Sequence, residues 1–167
     1  MKKLYTRAGD SGFSTTLSQS NIPKTDIVFD LLGGIDEASS TLLLAYALCG
    51  DEKFKEDIKK ICSDLVLLCG EIAGGKRFVT PEIIKCLETK IDEYCTEGDC
   101  SCGFLPLTDN PAAAAVSVAR AVVRRAERCA VKFYGQKSDK GDILKYLNRL
   151  SDFLYALSRQ IANELKT

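Results

Sequence analysis

Beyond the first two dozen residues, apolar side chains recur with a period near 3.6, and five stretches carry that helical pattern. They run roughly over Thr25–Leu48, Glu52–Ala73, Pro81–Cys95, Pro111–Tyr134 and Asp139–Glu164. The last is the clearest. Ile143, Leu147, Leu150, Leu154, Leu157 and Ile161 step by four and three, which makes a bundle seam. Thr80-Pro81 and Asn110-Pro111 each read as an N-cap followed by proline at the first helical position, where a missing N–H does no harm. Pro23 precedes the first helix and Pro106 the fourth, while Gly74-Gly75 and Gly135 read as helix ends. No repeat, linker or low-complexity stretch interrupts the series. The pattern predicts an all-α fold, a five-helix up-and-down bundle over residues 25–164, in a single domain spanning 1–167. Residues 1–21, rich in Gly, Ser and Thr, read as an ordered loop or short extended piece.

Composition narrows the field. The chain has 167 residues, with 23 basic and 23 acidic side chains, and a pI near 6.3. That balance argues against a general nucleic-acid binder. No apolar run approaches the roughly 20 residues of a membrane span, and no signal-peptide core opens the sequence. The expectation is a cytoplasmic protein with neither membrane nor nucleic acid as partner. The chain contains no histidine, which excludes His-dependent triads, His metal sites and imidazole acid–base catalysis. Of its eight cysteines, Cys49, Cys62, Cys69, Cys86 and Cys129 sit among apolar residues and read as small hydrophobes. Cys95, Cys100 and Cys102 cluster around Gly98, where a soft metal or a disulfide is possible chemically. A reducing compartment argues against both.

Four groups of polar residues then invite a chemical reading. In A-R-A-V-V-R-R-A-E-R, Ala119 to Arg128, three arginines (Arg120, Arg124, Arg128) fall at i, i+4 and i+8 on one stripe. Like charges at that spacing oppose the helix by about 0.2–0.5 kcal/mol per pair. Glu127 offsets only part of this, so the stripe suits an anionic ligand such as a polyphosphate, although a solvated face is the plain alternative. Val122, Val123, Ala126, Ala130 and Phe133 supply the opposite, packed face. The run Y-T-R-A-G-D-S-G-F-S-T-T-L, Tyr5 to Leu17, offers Gly9 and Gly12 for close backbone approach. Hydroxyls of Thr6, Ser14, Thr15 and Thr16, with the charges of Arg7 and Lys24, complete the donor types of a phosphate cradle. It is not a Walker A loop, because no G-K-[ST] follows and no strand precedes it. On the last helix Asn148, Asp152, Tyr155 and Arg159 form a polar stripe beside the leucine seam. There an Asn either meets a ligand or fixes helix register. Finally, Gly33 and Gly34 stand inside the first helix at about 1 kcal/mol each relative to alanine. They predict a close approach of another backbone or a ligand, and Asp36 just beyond is a candidate partner for an arginine.

Together, and in this order, these elements resemble the trimeric ATP:corrinoid adenosyltransferases of the propanediol-utilisation (PduO) type, over nearly the whole chain. The markers are Y-T-R-A-G-D-S-G-F-S, the P-K-T-D of Pro23 to Asp26, I-D-E-A-S-S, R-A-V-V-R-R-A-E-R and Y-L-N-R-L-S-D. The resemblance implies transfer of the 5′-deoxyadenosyl group of ATP to the cobalt of reduced cob(I)alamin, with release of triphosphate and with Mg2+ in attendance. It implies a homotrimer with active sites between subunits, and an N-terminal nucleotide-binding loop made by Thr6, Arg7, Ala8, Gly9, Ser14, Thr15 and Lys24. Arg124, Arg125, Glu127, Arg128 and Asn148 complete that site from the helices, and Asp36 pairs with Arg120 across the subunit boundary. Phe104 stands where the family has an apolar wedge under the corrin, which removes the lower axial ligand and eases reduction of Co(II) to Co(I). An adenosylcobalamin-dependent enzyme and a cob(II)alamin reductase are the implied protein partners. No residue of the chain is assigned to a metal.

Two departures fall on the corrinoid side. The family's Pro-Gly-Gly turn after the phenylalanine is replaced by F-L-P-L-T-D-N-P, Phe104 to Pro111, and Ser117 stands at the place of a family histidine. The altered stretch is what would favour a different reading, a non-catalytic carrier or sensor of ATP or adenosylcobalamin. A plain helical interaction protein whose arginines meet an acidic partner is a third; it leaves the N-terminal run unexplained.

Overall fold

The computed structural model describes residues 5–95, 108–135 and 141–163. Five helices dominate it: α1 Ile27–Leu48, α2 Glu52–Ile72, α3 Pro81–Tyr94, α4 Pro111–Tyr134 and α5 Gly141–Asn163. Within the N-terminal segment, β1 (Phe13–Ser14) and β2 (Ile22–Pro23) pair antiparallel, with Phe13 opposite Pro23 and Ser14 opposite Ile22. This small ribbon is the short extended piece that the glycine- and hydroxyl-rich composition allows.

Helix boundaries follow local chemistry. The Thr80 hydroxyl accepts from the N–H of Ile83, and the Asn110 side chain accepts from Ala112 and Ala113. Each satisfies backbone donors that the first helical turn leaves open. Asp26 and Asp51 cap α1 and α2 in the same way. Gly135 closes α4 at a φ of 57°, a backbone that a Cβ disfavours.

A few long-range hydrogen bonds fix the up-and-down course of the chain. Ser18 N–H donates to the Ala73 carbonyl at 3.1 Å, which ties the N-terminal segment to the end of α2. Arg77 reaches Asp142 at the start of α5 at 2.7 Å. At the other end of the bundle Asn110 Nδ2 donates to the Ile161 carbonyl at 3.0 Å, and Gln160 Nε2 to the Tyr94 carbonyl at 2.7 Å. The start of α1 and the C-terminal half of α4 therefore share one end of the molecule with the N-terminal loop. Neighbouring helices run in the order α2, α1, α4, α5, α3. The predicted seam is the centre of the core: Leu147, Leu150, Leu154 and Leu157 are fully buried. Each contributes about 1.5–3 kcal/mol of transfer free energy.

The two glycines of α1 behave differently. A Cβ on Gly34 would lie 3.3 Å from Cβ of Ala126, whereas one on Gly33 would meet nothing within 4 Å. Gly34 is thus the point of close α1–α4 approach, and Gly33 faces open space. Cys49, Cys62, Cys69, Cys86 and Cys129 are free thiols. The expected reducing compartment argues against a disulfide at Cys95; the structure instead has it disulfide-bonded, and Cys100 and Cys102 lie outside the described residues.

Candidate active site

The N-terminal segment forms one candidate half-site. Between Thr6 and Asn21 it encloses a recess of about 350 Å3, lined by Thr6, Ala8, Gly9, Ser14 and Thr15 among others. Successive short turns shape it: Asp10 N–H donates to Arg7 O, Gly12 N–H to Gly9 O, and Lys24 N–H to Gly12 O at 2.9 Å. Arg7 adopts a φ of 62°. A left-handed backbone at a non-glycine residue is strained by about 1 kcal/mol or more and persists where the surroundings impose it. The turn leaves the Arg7 guanidinium 5.5 Å from the centre of the Tyr5 ring. Lys24 extends back over Gly9, close enough that a Cβ there would stand 2.8 Å from its Nζ. The recess thus gathers hydroxyls and a cation against one bare stretch of backbone, the donor set that phosphate oxygens need.

A second candidate half-site lies on α4 and α5. Arg124 and Arg128 are exposed on α4, with Arg128 Nη1 donating to the Arg124 carbonyl at 3.1 Å. Glu127, half-buried, accepts from Asn148 Nδ2 at 3.1 Å. Asn148 Oδ1 in turn accepts from Arg149 Nη1 at 2.8 Å. Asp152 completes the group, 3.7 Å from Arg149. Burial raises the Asp152 carboxyl pKa above the usual carboxylate range, the charges of Arg149 and Arg124 oppose that rise, and Glu127 adds to it. Arg124, Glu127, Asn148, Arg149 and Asp152 therefore form one charged network at the α4–α5 surface.

The remaining predicted residues distribute less simply. Arg125 turns away from this network and ion-pairs with Glu37 of α1. The carboxylate that α1 offers to α4 within the chain is thus Glu37, not Asp36. Asp36 is exposed, and Arg120 is half-buried with its Nε enclosed and without a hydrogen-bond partner. Ser117 donates to the Ala113 carbonyl of its own helix at 3.0 Å. Phe104 lies outside the described residues. Arg149, Ser11, Phe13 and Asn21 join these groups without being singled out by sequence pattern. Arg149 is one position off the polar stripe, and a long flexible side chain brings it there. Asn21, which lines the recess at a φ of 58°, had a signal, since Asn is among the few residues that enter left-handed backbone.

Among the described residues no group of three acidic or cysteine side chains gathers to hold a metal, and no helix is long and apolar enough to cross a membrane.

The sequence as a whole matches the family described as cobalamin adenosyltransferase over residues 4–161. The chain belongs to that family. It is 34% identical to the human corrinoid adenosyltransferase MMAB over 96% of its own length and 69% of that protein. With the corrinoid adenosyltransferase of Bacillus subtilis it shares 33% identity over 95% of its own length and 86% of the relative. Among solved structures it superposes on a variant PduO-type ATP:corrinoid adenosyltransferase from Lactobacillus reuteri, complexed with cobalamin and ATP. The TM-score is 0.86 at 28% identity, covering 98% of this chain and 92% of that one. Fold, family and activity thus agree with the resemblance read from the sequence motifs: the five-helix protein is an ATP-dependent adenosyltransferase acting on a corrinoid.

Proposed function

We propose that the adenosyl group passes from ATP to cob(I)alamin at a site shared by two subunits of a homotrimer, the N-terminal loop of one subunit facing the α4–α5 network of its neighbour. The observation that supports this reading is that the loop recess and the α4–α5 charged network rest on different elements of the chain. The recess rests on the end of α2 and the start of α1, while Arg124, Glu127 and Asn148 project from α4 and α5. A second observation supports it. Arg120 has a buried, unpartnered Nε while Asp36 is exposed, as befits a pair made across a boundary.

The chemistry asks for little beyond placement. Cob(I)alamin is itself a strong nucleophile, so no general base is needed and the lack of histidine is no obstacle. In this reading Thr6, Arg7, Ala8, Gly9, Ser14, Thr15 and Lys24 hold the triphosphate, and Arg124, Arg125 and Arg128 neutralise the charge that grows as it leaves. Arg125 would contribute from its ion pair with Glu37, whose single contact leaves other guanidinium N–H donors for phosphate. Asn148 and Glu127 orient the nucleoside end and each other. Mg2+ fits as an ion that arrives on the triphosphate and keeps mostly phosphate and water ligands; the loop hydroxyls and Glu127 are the oxygens the chain offers it. It would lower the charge on the leaving group. Phe104 blocks the lower face of the corrin. Such a reaction, needing ATP and a strongly reduced corrinoid, suits the cytoplasm. A cob(II)alamin reductase upstream and an adenosylcobalamin-dependent enzyme downstream are its natural partners.

Subunit complementation tests the shared site. Lys24→Ala and Arg124→Ala are each expected to lose most activity in an anaerobic optical assay with chemically reduced cobalamin, ATP and magnesium. Co-expressed, they are expected to regain a substantial part of it, because mixed trimers contain a wild-type loop facing a wild-type α4. No recovery in demonstrably mixed oligomers would place the whole site within one chain and sink the proposal.

A further inference from the structure

A second concavity, of about 350 Å3, opens between α2 and α3 with α5 as its floor. None of the residues assigned above to nucleotide or corrinoid lines it. Its inner wall is apolar, with Ile61, Ile83, Leu87, Tyr146 and Phe153. Charged side chains ring the mouth, but they are already matched to one another. Lys60 pairs with Asp64, and Lys90 holds Asp57 at 3.6 Å and Glu93 at 3.1 Å. An ionic ligand would have to break these pairs, so the rim selects for a neutral one. The volume stands near the lower end of the roughly 300–1,000 Å3 that small-molecule sites occupy.

One group in the wall is unexplained by folding. Tyr146 is only 1% exposed, and its hydroxyl is buried without a hydrogen-bond partner. A buried polar group left unpaired opposes folding by about 1–3 kcal/mol, and such groups call for a reason. Burial, and secondarily the nearby Asp64 carboxylate, push the phenol pKa far above its ordinary value. The hydroxyl therefore keeps its proton and remains a donor at every physiological pH. Phe78 meets the Tyr146 ring edge-on at 6.0 Å and holds it in place.

We infer that the α2–α3 groove is a binding site for a small neutral molecule, with an apolar body of single-ring size and one carbonyl-type oxygen that accepts from the Tyr146 hydroxyl. The apolar wall supplies most of the affinity, as area removed from water. The hydroxyl supplies selectivity, because only a ligand with an acceptor satisfies it.

The test titrates methyl-labelled full-length protein with acetophenone, and separately with ethylbenzene, which has a similar shape but no acceptor. Saturable shifts confined to the Ile61, Ile83 and Leu87 methyls are expected. Acetophenone should bind roughly three- to tenfold more tightly than ethylbenzene, the scale of one neutral hydrogen bond. In Tyr146→Phe, which removes an unpaired buried group and so should melt no lower than wild type, the two affinities should converge. Equal affinities in the wild-type protein, shifts spread over the whole core, or no saturation would overturn the inference. So would movement of these methyls with protein concentration in the absence of probe, which would mean that a second copy of the chain fills the groove.

Discussion

Gly9 and Lys24 are matched in space: a Cβ added at Gly9 would stand 2.8 Å from the Lys24 ammonium nitrogen and 3.3 Å from its Cε. The group in the way is the free end of a flexible side chain, so Gly9→Ala is expected to leave the fold intact while pushing the ammonium off the recess. Melting should change by less than about 1 kcal/mol, the size of an exposed loop change. The KM for ATP should rise roughly tenfold, equivalent to about 1.4 kcal/mol of one misplaced charge–phosphate contact. Steady-state kinetics beside a thermal melt would separate the two, and an unchanged KM would remove Lys24 from the nucleotide site.

Two adjacent arginines should respond differently. Arg124 stands beside the Asn148 and Asp152 network, whereas Arg125 pairs with Glu37. Arg124→Ala is expected to lower kcat by roughly 100- to 1,000-fold, the range for losing one preorganised donor to a developing negative charge. Stability should barely change, since Arg124 is exposed. Arg125→Ala should act more mildly on kcat and also cost up to about 1 kcal/mol of stability from the exposed ion pair. Near-normal turnover in Arg124→Ala would refute the arginine-stripe argument.

The neighbouring glycines of α1 offer a contrast in sign. Gly33→Ala adds a methyl to open space and should stabilise by about 0.5–1 kcal/mol through helix propensity. Gly34→Leu drives a side chain into Ala126 and should destabilise by at least about 1–3 kcal/mol. Chemical denaturation of both variants checks this. Two changes of the same sign would mean that α1 and α4 approach elsewhere.

If Phe104 is the apolar wedge proposed above, Phe104→Ala should slow turnover from Co(II) far more than turnover from pre-reduced Co(I), because such a wedge would act on reduction rather than on transfer. Parallel anaerobic assays with and without prior chemical reduction read this directly. Equal slowing of both would argue for a merely structural aromatic.

Burial, with the Asp36 carboxylate as a lesser cause, raises the Cys69 thiol pKa to about 11. The thiolate is the reactive form, so alkylation of Cys69 should be slow at pH 8 and increase about tenfold per pH unit until it levels near that value. Exposed Cys86 should react much faster at neutral pH. Site-resolved mass spectrometry after iodoacetamide treatment distinguishes them, and comparable rates at pH 8 would contradict the raised value.

What the sequence determined by itself was everything decided within a few residues along the chain. Helix periodicity, the Thr80 and Asn110 caps, the Gly135 stop and the buried leucine seam of α5 are local consequences of side-chain spacing and backbone hydrogen-bond demand, and they stand where the pattern put them. The arginine stripe and the glycine- and hydroxyl-rich loop were legible for the same reason, and their joint order carried the family. Tertiary structure decided which neighbour each side chain meets. Glu37 rather than Asp36 faces Arg125, Gly34 rather than Gly33 touches Ala126, and Arg149 joins Asn148. One residue along a helix is a rotation of about 100°, so these choices depend on the angle at which two helices settle against each other. The spacing of either helix alone does not contain that angle. The left-handed turn at Arg7, the lysine folded over Gly9 and the unpartnered Tyr146 hydroxyl belong to the same class: each is set by what packing leaves around it.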